Sequence, residues 1–263
     1  MAAMTRREVH ARAGAFDAAA AAYERGRPGW PDAALEAIVR RLGLSRESAV
    51  LDLAAGTGKL TRMLVGRFAS VVAVEPLDGM RAVLERDTPG ARAAAGTAEA
   101  IPLEDGTVDA VFVAEAFHWF DAARAVAEME RVLRPGGGVA VLYNRRDWAA
   151  QDAAWQRESH AAFEAHRLPP DDVDPLETGA WQAALSARFG VLTEEEFAYA
   201  QHFDAGAIEV MYASFSAIAG LPPERRDAAL AAQRDILDRH GIRAAVLDYR
   251  TVVVTGRTGY ARA

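Results

Sequence analysis

Residues 50–60, VLDLAAGTGKL, place a short apolar run, an acid within it, a turn of small residues and the start of a helix in immediate succession. That order is the one a nucleotide-cradling strand, turn and helix require. Ala54, Ala55, Gly56 and Gly58 keep side-chain bulk out of the bend, so the backbone can turn sharply and approach a ligand lying across the strand end. Asp52 stands just before the bend. A carboxylate there accepts hydrogen bonds and donates none, so it suits an amine or a hydroxyl and repels a pyrophosphate.

A glycine turn alone is weak evidence, because many tight turns need glycine for steric reasons. Its context is Val71 to Glu75, VVAVE, a second β-branched run that ends in an acid 17 residues past Gly58. An acid near the end of the second strand, roughly 20 residues on, is the one that meets a ribose in dinucleotide folds. A carboxylate accepting both hydroxyls of a diol makes two charge-assisted bonds of about 1.5–3 kcal/mol each. The alternative is a solvated glutamate at a strand end.

With 263 residues, 51% of them hydrophobic, the chain can bury a large core. The net charge of −7 and the lack of a long basic run speak against a nucleic-acid partner. There are no cysteines, which removes disulfides, thiolate metal sites and cysteine nucleophiles. The N-terminal stretch is interrupted by Arg, Glu, His and Asp and lacks the apolar centre of a secretory signal, and no run of about eighteen apolar residues occurs. The expectation is a soluble, cytoplasmic protein with no membrane partner; nothing marks an oligomeric state.

The pattern along the chain predicts a helix over Phe16–Tyr23, a bend at Arg25 to Pro31, and a helix from Pro31 to Leu42 with Leu35, Ile38, Val39 and Leu42 at helical spacing. After the turn a helix is expected through Phe68, then the strand to Glu75, a helix over Asp78–Arg86, and a weak strand over Ala91–Gly96. Val108–Phe117 is nearly all apolar and reads as a central strand buried on both faces. Asp121 is placed to cap a helix to Leu133; Arg134 to Gly138 breaks it, and Val139–Tyr143 forms a fifth strand. In the second half, helices are expected over Trp148–Phe163, Trp181–Phe189, Ala205–Leu221 and Pro223–His240. The stretch from His166 to Thr178 is a proline- and acid-rich connection, and strands are expected over Phe197–Phe203 and Ala245–Thr255.

Three chemistries can be weighed on these residues. A P-loop needs glycine five residues before Gly58 and a hydroxyl after Lys59; Leu53 and Leu60 stand there, so NTP hydrolysis is rejected. An NAD(P)-dependent oxidoreductase fits the strand and glycine pattern better. Lys59 is the only lysine, however, so the tyrosine and lysine pair of short-chain dehydrogenases is absent, and Asp52 opposes a pyrophosphate. His160 and His166 are too far apart for a one-turn metal pair, and no metal is expected.

LDLAAGTG at 51–58, VVAVEP at 71–76, GTAEAIP at 96–102, the HWF after the fourth strand and RVLRPGGG at 131–138 together resemble class I S-adenosylmethionine-dependent methyltransferases over roughly Phe16 to Tyr143. The arm from Phe16 to Pro31, AFHWF, and the terminal RTVVVTGRTG resemble the small-molecule branch that includes trans-aconitate and ubiquinone-pathway enzymes. The resemblance implies a Rossmann-like α/β fold with a seven-stranded, mostly parallel sheet, an antiparallel last strand, helices on both faces and helical additions over the active-site edge. It implies one domain, with an N-terminal arm and helix over 1–45, a cofactor-binding core over 46–146 and substrate-covering helices and final strands over 147–263.

By the same resemblance S-adenosyl-L-methionine is the cofactor, S-adenosyl-L-homocysteine the product and a small molecule the acceptor. Asp52, Ala54, Gly56, Thr57 and Gly58 correspond to the turn that holds the methionine part, Glu75 to the ribose ligand, Pro76 and Met80 to the adenine lining. Thr97 and Ala98 match the loop that meets adenine, and Glu115 the residue under the methionine moiety. Ala54 stands where the family has its first glycine, and Thr97 where an aspartate is common. Tyr23 and Arg27 either close over the cofactor carboxylate or simply end an amphipathic helix.

Methyl transfer is an in-line displacement that depends on holding acceptor and methyl close, collinear and dry, which supplies about 7–11 kcal/mol of barrier reduction. His118, at the end of the fourth strand, is the candidate base if the acceptor must lose a proton, with Tyr23 a second candidate; the alternative for His118 is packing beside Trp119. A third functional reading is a protein that binds the sulfonium without methylating. Trp155, Trp181, Tyr199, Met211, Tyr212 and Phe215 are expected mostly in the core, with some facing the acceptor.

Overall fold

The computed structural model describes residues 20–146, 153–167 and 179–259. They fall into two compact units, a sheet unit drawn from 29–144, 173–197 and 251–263 and a helical unit drawn from 1–28, 145–172 and 198–250.

The sheet has seven strands in the order β3-β2-β1-β4-β5-β7-β6. They are β1 (Ala49–Leu53), β2 (Ser70–Val74), β3 (Arg92–Ala94), β4 (Val108–Ala114), β5 (Leu133–Arg145), β6 (Thr193–Asp204) and β7 (Ala244–Arg257). β1 pairs in parallel with β2 and with β4, β2 with β3 and β4 with β5. Thr258 N donates to Gly137 O at 2.9 Å near one end of β5, and Thr251 Oγ1 to Asn144 Oδ1 at 2.5 Å near the other. β7 therefore runs antiparallel to β5, while the other six strands are parallel.

Period-two alternation divides the strand residues between two cores. Leu51, Leu53, Val72, Val74, Val111, Val113, Val139, Val141, Val252 and Val254 pack on one face, against α5 (Ala122–Val132) and α7 (Ala180–Phe189). Val50, Val71, Ala110, Phe112, Ala140, Leu142 and Val253 pack on the other, against α2 (Asp32–Leu42) and α3 (Lys59–Leu64). α4 (Asp78–Asp87) joins β2 to β3. Pro31 precedes α2 with extended backbone, and Asp121 caps α5 by accepting from Arg124 N, as the sequence predicts.

Several boundaries differ from the sequence expectation for local reasons. α3 ends at Leu64 rather than Phe68, because Gly66 adopts a φ of 79° and turns the chain so that Phe68 packs against Phe112. β4 ends at Ala114 rather than Phe117: Phe117 is drawn against Phe120 and Trp181, with ring centroids 5.3 and 5.4 Å away, and residues Phe117–Trp119 wind into one 3-10 turn. β5 starts at Leu133 and includes the expected breaker Arg134 to Gly138. Those glycines let strands approach closely: a Cβ on Gly138 would lie 2.7 Å from Gly256 O and 2.7 Å from a Leu42 methyl. β6 and β7 are also longer than the alternation suggested.

The helical unit holds α1 (Ala20–Gly26), α6 (Ala154–His166), α8 (Ala205–Ala213), α9 (Ser216–Ala219) and α10 (Pro223–Arg239). Its core contains Trp155, Phe203, Ile208, Met211, Tyr212, Ile236, Leu237, Leu247 and Tyr249. α1 runs to Gly26 rather than ending at Tyr23, since glycine there lets α1 lie on α8: a Cβ would sit 2.5 Å from Met211 N. The single helix expected over 205–221 is two helices, separated where the Ser214 hydroxyl bonds back to Met211 O at 2.7 Å. Residues 16–19 and 148–152 of the expected helices, and 168–178 of the expected connection, lie outside the described residues. Among the described residues no helix is long and apolar enough to cross a membrane.

Gly138→Ala is expected to lower stability by about 1–3 kcal/mol, since the added methyl meets backbone that cannot yield. Urea unfolding of the two proteins checks this.

Candidate functional site

β1 feeds α3 on one side and neighbours β4 on the other, so strand order reverses between β1 and β4. In an open α/β sheet the crevice at the carboxyl ends of such a strand pair receives ligands. Both ends here carry left-handed non-glycine residues, Ala54 with φ 57° after β1 and Glu115 with φ 53° after β4. Such conformations store about 1–3 kcal/mol each and concentrate at ligand sites.

The turn itself alternates, with Ala54, Gly56 and Gly58 all at positive φ. Gly58 is needed twice over: its φ is 84°, and a Cβ would sit 3.0 Å from Thr88 Oγ1 and 3.1 Å from Leu84 Cγ. A Cβ on Gly56 would meet nothing within 4 Å, so the turn opens onto free space at that point. The Thr57 hydroxyl is buried without a hydrogen-bond partner among the described residues, while Thr57 O accepts from Arg62 Nη1 at 3.0 Å.

Glu75 ties the turn to the next strand. One carboxylate oxygen accepts from Gly56 N and the other from Leu77 N, both at 2.9 Å, and the residue is only 4% exposed. A carboxylate has about four lone-pair directions, so two backbone bonds hold its orientation and leave it able to accept from a diol. Its carbonyl accepts from Arg81 Nη1 at 2.9 Å.

Asp52 is placed by strand parity. It shares the face of Val50, the face covered by α3, and there the Thr61 hydroxyl donates to Asp52 Oδ2 at 2.6 Å. Asp52 is 1% exposed and Thr61 is fully buried. Burial pushes the Asp52 carboxyl up to about 7; the Thr61 bond opposes the rise and the nearby Glu75 charge adds to it. A cation bound across the turn favours the ionised form.

On the β4 side, Asn144 N donates to Glu115 Oε1 at 2.7 Å, and the Asn144 amide donates to Gly29 O at 3.1 Å while accepting from Thr251. Glu115 is thus clamped at the ends of β4 and β5. His118 is half-buried in the 3-10 turn, its ring 4.9 Å from Trp119. The buried Phe117 anchors that turn and leaves His118 at its partly exposed middle.

The loop after β3 is held from α5. Arg131 donates to Ile101 O at 2.9 Å, Leu103 O at 2.7 Å, Asp105 at 2.8 Å and Glu128 at 2.7 and 2.8 Å, while Glu128 accepts from Ile101 N at 2.9 Å. Glu75 N also donates to Ala94 O at 3.0 Å, which sets the strand leading to Thr97 and Ala98 beside the end of β2. Thr97 is exposed and Ala98 buried; Pro76 is exposed and Met80 buried on α4.

Asp52, Ala54, Gly56, Thr57, Gly58 and Glu75 are therefore gathered in one bonded turn, with Thr97 and Ala98 on the adjoining loop and Glu115 and His118 after β4. Tyr23 and Arg27 belong to the helical unit. There Arg27 Nη2 donates to Ser214 O at 2.8 Å, and its guanidinium lies 4.8 Å from the Phe215 ring and 5.4 Å from that of Tyr23. Sequence reading missed Thr61, Asn144 and Arg131. Only Thr61 had a local signal, since the parity of Asp52 in β1 points it toward the helix that follows the turn.

Open space at Gly56, an orphan hydroxyl on Thr57, a held carboxylate on Glu75 and a buried acid on Asp52 fit a ligand that combines a diol with positive charge. Among the described residues no three His, Asp or Glu gather as a metal site.

A family profile described as a methyltransferase domain matches residues 51–141. An uncharacterised methyltransferase of Mycobacterium tuberculosis is 49% identical over 143 residues, 54% of this chain and 56% of the relative, so the chain spans about half the length of that relative. An uncharacterised methyltransferase of Schizosaccharomyces pombe is 32% identical over 208 residues, covering 78% of this chain and 80% of the relative. Among solved structures, a phosphoethanolamine N-methyltransferase of Haemonchus contortus in complex with phosphomonomethylethanolamine and S-adenosylhomocysteine has a TM-score of 0.56 at 16% identity, over 97% of this chain and 60% of that one. At that identity the likeness concerns the fold.

Two substitutions probe the turn. Ala54→Gly relieves the left-handed backbone and is expected to raise stability by about 0.5–1 kcal/mol in urea unfolding. For Asp52 the folded pKa lies above that of the unfolded chain, so its contribution to stability is full below about pH 4 and is lost as pH rises through about 7. Asp52→Asn is therefore expected to be more stable than wild type at pH 8, by about 2 kcal/mol, with the gain shrinking toward pH 4.

Proposed function

Since the chain belongs to the class I S-adenosylmethionine-dependent methyltransferase family, we propose that it transfers a methyl group from S-adenosylmethionine to a small-molecule acceptor, releasing S-adenosylhomocysteine. The observation that carries this reading is the pair of acids at the carboxyl ends of β1 and β2, Asp52 beneath the turn and Glu75 bonded into it. A diol and a positive charge are the two features they would recognise, and a dinucleotide pyrophosphate offers neither to Asp52.

When bound, the sulfonium would supply the methyl group to an in-line acceptor, with the neutral thioether of S-adenosylhomocysteine as leaving group. Everything else falls to the chain. In this reading Glu75 accepts from the ribose hydroxyls, with Gly56 N and Leu77 N keeping its plane in place. The turn from Ala54 to Gly58 and the Asp52 carboxylate hold the methionine part, and Glu115, clamped by Asn144, lies across from them at the end of β4. Met80, Pro76, Thr97 and Ala98 would border the adenine, the last two on a loop whose following residues Ile101 and Leu103 are bonded by Arg131. Such positioning is what an in-line displacement needs.

His118 is the group this reading assigns to remove a proton from the acceptor, because it stands past the end of β4 and imidazole is the side chain suited to general-base work. Tyr23 and Arg27 are assigned to the cofactor carboxylate on the resemblance of the arm that carries them. Of the aromatic residues expected mostly in the core, Trp155 and Tyr212 lie in the core of the helical unit, with Tyr199 and Phe215 partly buried against it.

Calorimetric titration with S-adenosylmethionine, S-adenosylhomocysteine and NADH tests the cofactor. The adenosyl compounds are expected to bind and NADH not, and Glu75→Ala is expected to weaken them about 10- to 100-fold. Binding of NADH alone would overturn the reading. With an acceptor found by S-adenosylhomocysteine release, His118→Asn is expected to lower kcat about 10²- to 10⁴-fold with cofactor affinity unchanged.

A further inference from the structure

Thr61 is the one wholly buried hydroxyl of α3 that bonds a carboxylate, and the carboxylate is Asp52. The two meet because Asp52 faces α3 by strand parity, while Thr61 lies on the buried side of that helix with Leu60 and Leu64. The Thr61 backbone N–H bonds the carboxylate as well, with the smaller effect of the two. From β2 comes the register partner Ala73, from just past its end the Glu75 carboxylate, and from β4 the register partner Phe112. On α3, Arg62 is turned back onto Thr57 O, and Arg81 from α4 is spent on Glu75 O. The 2.6 Å bond from the Thr61 hydroxyl is the larger of two bonds, the other from the Thr61 backbone N–H, that oppose desolvation and a second negative charge.

We propose that Thr61 is a positioning residue of the cofactor site, whose hydroxyl keeps Asp52 ionised and oriented so that a cation can bind across the turn. The proposal rests on the reading that the adenosyl cation binds at this turn. Thr61 itself does not touch the ligand; it acts through Asp52. Without the hydroxyl, Asp52 holds its proton to higher pH, and at neutral pH the turn presents a neutral acid to a cationic ligand.

Packing and positioning predict opposite orders for two variants. Thr61→Val keeps the shape and loses the hydroxyl; Thr61→Ser keeps the hydroxyl and loses a methyl. S-adenosylmethionine affinity is measured calorimetrically between pH 6 and 8.5 for each protein, and each variant is compared with wild type at the same pH so that titration of the ligand's own amino group cancels. Thr61→Val is expected to bind about 10-fold more weakly at pH 7, with the deficit closing toward pH 8.5, while Thr61→Ser stays near wild type. A pH-independent loss in Thr61→Val, or a greater loss in Thr61→Ser, overturns the proposal in favour of packing. Should Thr61→Val not fold, the comparison is repeated in Asp52→Asn, where adding Thr61→Val must leave affinity unchanged; a further loss there overturns the proposal. If wild type binds no adenosyl compound at any pH, it is the reading of the site that fails instead.

Discussion

Burial of β1 on both faces is the constraint on which the remainder depends. Val50 and Leu51 each enter a different core, so no side of the strand is available to water, and polar chemistry is pushed to its carboxyl end. Asp52 is the exception that remains inside, where the hydroxyl and the backbone N–H of Thr61 meet it. The same two-sided burial explains why Glu75 sits just past the last residue of β2, where it bonds the turn.

Around that end, rigidity comes from bonds to backbone more than from side-chain pairs. Glu75 holds Gly56 and Leu77, Asn144 N holds Glu115, and Arg131 with Glu128 holds both the N–H and the carbonyl of Ile101. Each arrangement fixes the orientation of its group by bonds within the chain, the preorganisation on which the proposed methyl transfer would draw. The left-handed backbones at Ala54 and Glu115 are the strained parts of that frame, and the bonds around them keep the strain from relaxing. In the helical unit the comparable device is Gly26, whose missing side chain lets α1 lie on α8 and brings Arg27 to Ser214 O and the Phe215 ring.

Much of this was legible in the residues themselves. The strand, turn and helix at 50–60, the acid at Glu75, the two-sided strand after Val108 and the Asp121 cap all express short-range rules of periodicity, turn chemistry and capping. Errors fell where distant contacts override those rules. Arg134 to Gly138 reads as a break but is strand, because its glycines meet Gly256 and Leu42 from elsewhere in the chain. Phe117 reads as strand but leaves it to pack on Trp181, more than sixty residues away.

The sequence by itself determined the fold class, the turn and the acids beside it, since each depends on residues within a few positions of one another. Tertiary structure alone decided what those acids are bonded to: that Thr61 answers Asp52, that Asn144 clamps Glu115 and that Arg131 holds the loop beyond β3. The reason is physical. A buried charge is governed by the partners that packing brings to it, and the approach of one helix or strand to another is not written in any single stretch of chain.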